Sequence, residues 1–518
     1  MFDIEPGRRR TYQAVCRVLV VLSGLAALFY LKWLLFDARP DNAALYVLLV
    51  AAESFNILQA LGFWYTIWRQ EWTEPEAIDF STTTETVDVF VTVCGEPAAV
   101  VARTVAGAVA IRHPRKVVWV LDDGRSPEIA AIAASLGAGY LVRPDRRGAK
   151  AGNQNDAMAV TGGDFILVLD ADHVPRPEFL ELTMGGFSAP DVAFVQTPQD
   201  YMNRSANRVS AGANEQQGLF YGPIMRGKNA RNAVFSCGTN VIFRRSALVA
   251  IGGMPEDSIT EDLRVSLILS DAGQRGVYIP RILAEGMGPV DVSSYFAQQR
   301  RWARGGLEIM LRRRPFSARM ELPTRIQYGL GFLYWFTGWA YAIYLLLPAM
   351  YLVFGVRPVH VPNQYPAYFM PYLVMTLITL AYSSGFQVTF RALWFTLASF
   401  PVYMGALFSA AFGGTARFVV TSKGASMRSL RPVAVQLLVL FLLVCSAVFG
   451  LVYRGFTPAV TNNVAFVLGH ILIIQGFVRY ARRPEVPGMA TEGGVAHAVG
   501  LAPRSLEPPV TSVVTEAR

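Results

Sequence analysis

Residues Phe165–Asp172 read FILVLDAD: five apolar residues followed by two carboxylates one residue apart. A short, fully apolar run of this length is the pattern of a strand buried on both faces, as in a parallel sheet. Upstream the pattern repeats. Val87 to Val93 reads as a strand, followed by a helix-like stretch from Pro97 to Ile111. Val117 to Leu121 reads as a second strand, followed by helical Pro127 to Leu136. A further helix covers Lys150 to Val160, before the strand at Phe165 to Leu169. Short buried strands alternating with helices imply a mostly parallel, doubly wound, Rossmann-like α/β domain. Ligands of such sheets bind beyond the carboxyl ends of the strands. The acidic residues fall at that edge: Glu96, then Asp122 and Asp123, then Asp170 and Asp172.

Two carboxylates spaced like Asp170 and Asp172 can share one hard divalent cation. Mg2+ or Mn2+ prefers oxygen ligands and is commonly completed by a substrate phosphate. Ser258-Ile-Thr-Glu-Asp262 precedes a helical pattern. Ser258 and Glu261 have capping-box spacing, and Asp262 in a first helical turn is favoured by the helix dipole alone. A carboxylate held opposite a metal site also suits a general base, so both readings of Asp262 stand here. Phe296 to Met310, FAQQRRWARGGLEIM, is basic and amphipathic, the pattern of a helix lying on a membrane surface. Such a helix can still present Arg301 to a diphosphate and the flat face of Trp302 to a sugar.

The chain around this domain is apolar. Of 518 residues 53% are hydrophobic and 16% charged, with a mean hydropathy of +0.32, on the membrane-protein side of soluble averages. The net charge of +9 does not call for nucleic acid, because the Lys and Arg residues cluster beside apolar segments, as the positive-inside rule requires. Cys16, Cys94, Cys237 and Cys445 are scattered without CxxC spacing, which argues against a disulfide framework or a zinc site. The apolar run after Arg8 to Arg10 is too long for a signal peptide and is read as an anchor that stays.

A span needs about 20 mostly apolar residues. Six are expected, near residues 14–36, 43–68, 326–354, 366–384, 432–454 and 460–480. A mixed stretch at 386–414 is placed along the inner surface as an interfacial helix, because a seventh span there would put Arg417 to Arg431 outside. The expected domains are 1–84, a tail and two spans; 85–300, a cytoplasmic catalytic domain; 301–431, interfacial helices, two spans and a loop; 432–481, two spans; and 482–518, a disordered tail. Within the second span Glu53, Asn56 and Gln59 share one helix face. That face is either a buried packing contact or a polar wall of a channel.

Taken together, DDG at Asp122 to Gly124, DADH at Asp170 to His173, Thr260-Glu261-Asp262 and Gln298-x-x-Arg301-Trp302, in this order and flanked by spans, resemble the processive family-2 glycosyltransferases. Cellulose, chitin and hyaluronan synthases belong to that group. Further segments are similar to the bacterial cellulose synthase catalytic subunits: VDVFVTVCGEP, RPDRRGAKAGNQN, VQTP, FSCGTN and FVVTSKG. The resemblance implies a type A glycosyltransferase domain inserted among transmembrane helices. It implies that Asp122 and Asp123 contact the uridine and phosphates of a UDP-sugar, with Thr92 and Glu96 nearby and Lys150 helping to hold the nucleotide. Asp170 and Asp172 would bind the metal–diphosphate. Asp262, within its Thr260-Glu261-Asp262 motif, would be the base. Gln298, Arg301 and Trp302 would hold the diphosphate and the acceptor sugar, with Cys237 beside the acceptor. Phe418, Thr421 and Lys423 match a loop that closes over UDP.

The resemblance departs in two respects: fewer leading spans, and too few residues after the last one for the PilZ domain usual in those subunits. The expected activity is therefore inverting, processive polymerisation of UDP-glucose into a cellulose-like β-glucan at the bacterial inner membrane. Synthesis is coupled to export, and an outer-side partner is left open. Curdlan, mixed-linkage glucan, chitin, hyaluronan and a non-processive lipid-linked sugar transfer are the alternatives.

Overall fold

The computed structural model describes residues 4–74, 77–313, 315–360, 365–413 and 429–482. Among them, two long helices, α1 (Arg9–Lys32) and α2 (Ala43–Ile67), precede the polar domain. The domain opens with β1 (Val87–Val93), α3 (Ala98–Ala110), β2 (Lys116–Asp122), α4 (Pro127–Ser135), β3 (Gly139–Leu141), α5 (Ala149–Val160) and β4 (Phe165–Asp170). It continues through β5 (Val174–Pro175), β6 (Val192–Gln196), α6 (Arg208–Leu219), α7 (Met225–Asn229), β7 (Val241–Arg244), α8 (Arg245–Ala250), α9 (Glu261–Asp271), β8 (Arg275–Tyr278) and β9 (Ala284–Glu285). Then come α10 (Val292–Arg312), α11 (Leu322–Leu333), α12 (Thr337–Phe354), α13 (Tyr365–Ser383), α14 (Phe390–Ala398), α15 (Phe400–Phe412), α16 (Ala434–Arg454) and α17 (Pro458–Arg482).

Seven strands form one sheet in the order β3-β2-β1-β4-β7-β6-β8, while β5 and β9 make a separate pair. Only β7 runs against its neighbours in the large sheet, so the sheet is mostly parallel. The alternation along β1 explains why apolar runs were needed. Val87, Val89, Val91 and Val93 pack with Val101 and Val105 of α3 and Ile129 of α4. Phe90, pointing the other way, joins Ala157 of α5, Leu248 of α8 and Val265 of α9. A strand covered on both faces has no polar side to spare.

Asp88 is the exception and shows how a carboxylate is tolerated there. Its oxygens accept from Arg245 Nη2 at 2.5 Å, Gly163 N at 2.8 Å and Trp119 Nε1 at 3.0 Å. A buried charge survives when it is paired and its lone pairs are used.

By length and composition, the described residues hold six helices able to cross a membrane: Pro6–Asp37, Ala43–Ile67, Leu322–Phe354, Phe390–Phe412, Arg431–Arg454 and Pro458–Ala481. This set exchanges one expected segment for another. Tyr365–Ser383, expected as a span, falls short because its tyrosines and prolines dilute the apolar run. Phe390–Phe412, expected at the surface, qualifies. The packing separates the two cases. α13 runs antiparallel to α1 along its length, from Tyr12 Oη donating to Ser383 O at 2.5 Å, through Ser23 against Thr379 at 2.8 Å, to Trp33 against Tyr365. Phe390–Phe412 instead breaks at Ser399 into α14, packed on α6 and α17, and α15, packed on α10 and α12. Gln216 of α6 donates to Thr396 at 3.1 Å, and Arg391 pairs with Glu215 at 2.5 Å. At the far end of α1, Pro40 bridges Val359 and Arg357 pairs with Asp41 at 3.1 Å.

Candidate active site

The sheet register brings the acidic edge together. Val93 lies beside Asp122, and Thr92 beside Asp170. Above that edge is a cavity of about 560 Å3. Thr92, Glu96, Asp123, Lys150, Asp170, Asp172, Cys237, Thr260, Glu261, Asp262, Gln298, Arg301 and Trp302 all line it. Residues more than 200 positions apart in sequence thus share one concavity, the usual setting for a binding site. Phe418, Thr421 and Lys423 lie outside the described residues.

Asp122 is placed differently. Its carboxylate accepts from Gly124 N at 2.6 Å, Ser126 N at 2.8 Å and Tyr140 Oη at 2.9 Å, and it does not line the cavity. An aspartate two residues before a glycine hydrogen-bonds its own turn. It therefore shapes the loop that presents Asp123. Asp123 is held by the Arg143 guanidinium, whose Nε and Nη2 donate to its two oxygens at 2.7 and 2.8 Å.

At the centre, Asp170 pairs with Lys150, whose ammonium also donates to Gly238 O at 2.6 Å. Desolvation pushes the Asp170 carboxyl up, but Lys150 and His173 outweigh it and hold Asp170 below the usual carboxylate range. Desolvation likewise works against the charge on Lys150, and Asp170, Glu261 and Asp262 reverse the balance and keep it protonated. Asp172 is 2% exposed; it faces His173 Nδ1 at 3.2 Å and accepts from Met287 N at 3.3 Å. Ligand atoms of Asp170, Asp172 and His173 lie within 4.8 Å of one another. Two carboxylates and an imidazole at that spacing fit one divalent cation such as Mg2+ or Mn2+.

Across the cavity, α9 opens at Glu261 with Thr260 as N-cap and no side-chain cap bond. The Ser258–Glu261 capping box is not formed: Ser258 Oγ accepts from Thr260 N at 3.2 Å instead. Glu261 is thereby left to the cavity. Burial raises the Asp262 carboxyl above the ordinary value, against the bond from Leu263 N at 2.8 Å and the charges of Arg301 and Lys150. Glu261 beside it is raised too, by burial and by the charge of Asp262. Gly238 closes the floor beneath: its φ is +79°, and a Cβ there would sit 3.1 Å from Asp262 Oδ2.

Gln298, Arg301 and Trp302 come from α10. An Asp291–Ser294 capping box starts this helix, with the Asp291 carboxylate accepting from Ser294 N at 2.8 Å. Spacings of three and four residues put the three side chains on one face. Ala303 and Leu307 pack instead on Tyr403, Ala406 and Ala410 of α15. Gly305 lets the helix approach the Thr260 turn, since a Cβ there would lie 2.4 Å from Thr260 Cγ2.

Three residues of the site had no assigned role from sequence. His173 was present in DADH, and its position beside the aspartates was the available signal. Tyr201, wholly buried, lines the cavity and accepts from Gln217 Nε2 at 2.7 Å. A lone aromatic at an isolated bridge to Gly286 carries no signal of that kind. Arg143 opens the RPDRRGAKAGNQN segment, but its pairing with Asp123, 20 residues away, is not reported by any local pattern.

Residues 165–468 match the family model described as "Glycosyl transferase family group 2". Among curated relatives, the cellulose synthase catalytic subunit [UDP-forming] of Pseudomonas fluorescens (strain SBW25) is 31% identical over 503 residues, covering 89% of this chain and 66% of the relative. Cellulose synthase 1 of Komagataeibacter xylinus is 36% identical over 372 residues, covering 68% of this chain and 24% of the relative. The chain thus spans no more than about two thirds of the length of these relatives. In fold it is similar to the mannosyltransferase PcManGT from Pyrobaculum calidifontis, solved with GDP-Man and Mn2+. The TM-score is 0.53 at 17% identity, covering 71% of this chain and 99% of that one.

Proposed function

The chain belongs to glycosyl transferase family group 2, and from that premise we propose that it is a membrane-integrated, processive transferase polymerising UDP-glucose into a β-glucan with inversion at the transferred carbon. The observation that carries this reading is the convergence, in one cavity, of the Asp170–Asp172 carboxylate pair, the Asp262 carboxyl raised by burial, and the cations Arg146, Lys150 and Arg301. Similarity to UDP-forming cellulose synthase subunits supports glucose and the β-linked product.

In this reading Asp262 accepts the proton of the glycan's terminal hydroxyl, and that oxygen attacks C1 of the sugar in line. The bond from C1 to the diphosphate breaks, and UDP leaves. Lys150 and Arg301 stabilise the negative charge that develops on the leaving group. Asp170 and Asp172 would hold a Mg2+ or Mn2+ ion, which would supply further neutralisation of that charge. Asp123, Thr92 and Glu96 seat the nucleoside end. Gln298, Trp302 and Cys237 hold the acceptor, the aromatic ring stacking on a sugar.

For topology we propose that α1, α2, α11–α12, α13, α16 and α17 span the inner membrane, with α14–α15 along the inner surface and the polar domain in the cytoplasm. The pairing of α13 with α1, the seating of α14 on α6, and the bridge joining residues 40 and 359 on one side support it. Arg8 to Arg10 and Arg431 then share the cytoplasmic side. A cysteine at Ser429 should resist an impermeant maleimide in intact cells and react after lysis. Labelling of intact cells would demand a seventh span.

Six spans around one active site allow the polymer to be threaded outward as it grows. Product identity is tested by incubating purified protein with labelled UDP-glucose and Mg2+ or Mn2+, then digesting with linkage-specific glucanases. Release by a β-1,4-glucanase is expected. Release only by a β-1,3-glucanase would replace cellulose-like glucan with curdlan, and a product of one added sugar would remove processivity.

A further inference from the structure

One buried arginine outside the proposed reaction ties two parts of the cavity wall together. Arg143 follows β3 by two residues, and its side chain is 5% exposed. Its Nε and Nη2 hold both oxygens of Asp123, at the end of β2. The same guanidinium continues to the next loop, donating to Arg147 O and, at 2.7 Å, to Ala149 O. At the start of α5, beside those carbonyls, the backbone turns left-handed twice, at the N-cap Gly148 (φ +68°) and at Ala149 (φ +48°). The second is an uncommon conformation for alanine and persists only where surrounding contacts over-determine it. The next residue is Lys150, which reaches Asp170 and Gly238 O.

Two further features serve the same arrangement. The first turn of α5 has no side-chain cap, so the loop takes its support from Arg143. A Cβ at position 152 would lie 2.1 Å from Arg147 O and 2.6 Å from Arg143 Nη1, which makes Gly152 necessary for the close approach. A planar fork with five donors can meet a carboxylate and two carbonyls at once, whereas a lysine ammonium cannot reproduce that geometry.

We propose that Arg143 is a positioning residue that locks the Asp123 turn and the Lys150 loop into one rigid unit and thereby sets the affinity of the cavity for the uridine diphosphate portion of the donor. This rests on the reading of the cavity as a UDP-sugar site. Arg143 touches neither Asp262 nor α10, so it acts chiefly on donor binding, through Asp123 and Lys150, and reaches the chemical step only through Lys150.

The test is Arg143→Lys in the full-length, detergent-purified protein. UDP affinity is measured by calorimetry, and KM for UDP-glucose and kcat at steady state. UDP affinity is expected to fall and KM to rise by about 10- to 100-fold, the range for a group that orients a metal-binding side chain, with a smaller fall in kcat because the Lys150 loop loses support. Unaltered UDP affinity and KM, or a loss confined to kcat, overturns the proposal. If that variant does not fold, Asp123→Asn combined with Arg143→Gln, a neutral pair, is compared with Asp123→Asn alone. The double variant should bind UDP more weakly, because the Lys150 loop has lost its support; equal affinity overturns the proposal. Wild-type protein that fails to bind UDP removes the nucleotide reading and the brace together. Wild-type binding with an unaltered Arg143→Lys variant removes the brace alone.

Discussion

Replacing Asp262 by asparagine is expected to lower polymer synthesis by about 10²- to 10⁴-fold, the contribution typical of a positioned general base, while UDP binding stays close to wild type. The substitution is nearly isosteric. Its amide oxygen can still accept from Leu263 N, as the carboxylate does at 2.8 Å, so the start of α9 should persist. What is lost is the acceptor for a proton. The wild-type pH profile carries a second signature. The base works only when ionised, and burial lifts the Asp262 carboxyl above its ordinary value. The acid limb of kcat should therefore fall at a higher pH than a solvent-exposed aspartate would give, and Asp262→Asn should flatten it. Lost UDP binding with residual synthesis would assign Asp262 to the donor and leave the base unidentified.

Metal removal is the second large effect. Chelation of the purified protein should lower turnover by about 10³-fold or more, since Lewis-acid stabilisation of a leaving group is worth several kcal/mol. Mg2+ or Mn2+ should restore it. Asp172→Asn separates the metal from the fold. The asparagine oxygen can still accept from Met287 N, while its NH2 replaces the oxygen that faces His173 Nδ1. The anionic ligand is removed, so turnover should drop without recovery at millimolar metal. Calorimetric titration of Mn2+ in the presence of UDP should show weakened binding in the same variant. Full activity after exhaustive chelation would exclude the metal reading of Asp170 and Asp172.

The strands carrying the acidic edge were legible because burial on both faces leaves an unmistakable composition. β1 runs over Val87–Val93, the stretch read from the sequence, and β4 extends the expected strand only by Asp170. The short β3, Gly139–Leu141, went unread because three residues beginning with glycine carry no period. β7, the reversed strand, is four residues long and ends in Arg244, too short and too polar at its end to announce its direction. Within the site, the motif residues converge because each sits at a strand end or on one helix face, positions that spacing can report. Arg143 and Tyr201 lie outside the helices and the named strands, and the path of such segments is not written in periodicity. Asp122 and Asp123 are adjacent and chemically identical, yet one ties its own turn and the other faces the cavity. The alternation of side chains at a strand end decides that, and no motif distinguishes the two. The membrane segments were the reverse case. Composition alone favours Phe390–Phe412 over Tyr365–Ser383, whereas Tyr365–Ser383 packs along α1 and Phe390–Phe412 packs on α6 and α10 as well as on α12 and α17.

The pairing of α1 with α13 has a consequence in time. Ser23 meets Thr379 across 356 positions of sequence. At about 5–20 residues per second of synthesis, a ribosome needs roughly 20–70 s to make the second partner after the first. On the proposed topology, α1 and α2 wait that long in the lipid while the whole polar domain is translated and folds beneath them. The seam of Tyr12, Ser23 and Tyr30 on α1, with Trp33 just after it, stays uncovered until α13 arrives. Newly made chains are thus most exposed to mispairing and to quality-control proteases before residue 379 is inserted, and a truncation just short of α13 should be degraded far faster than one just beyond it.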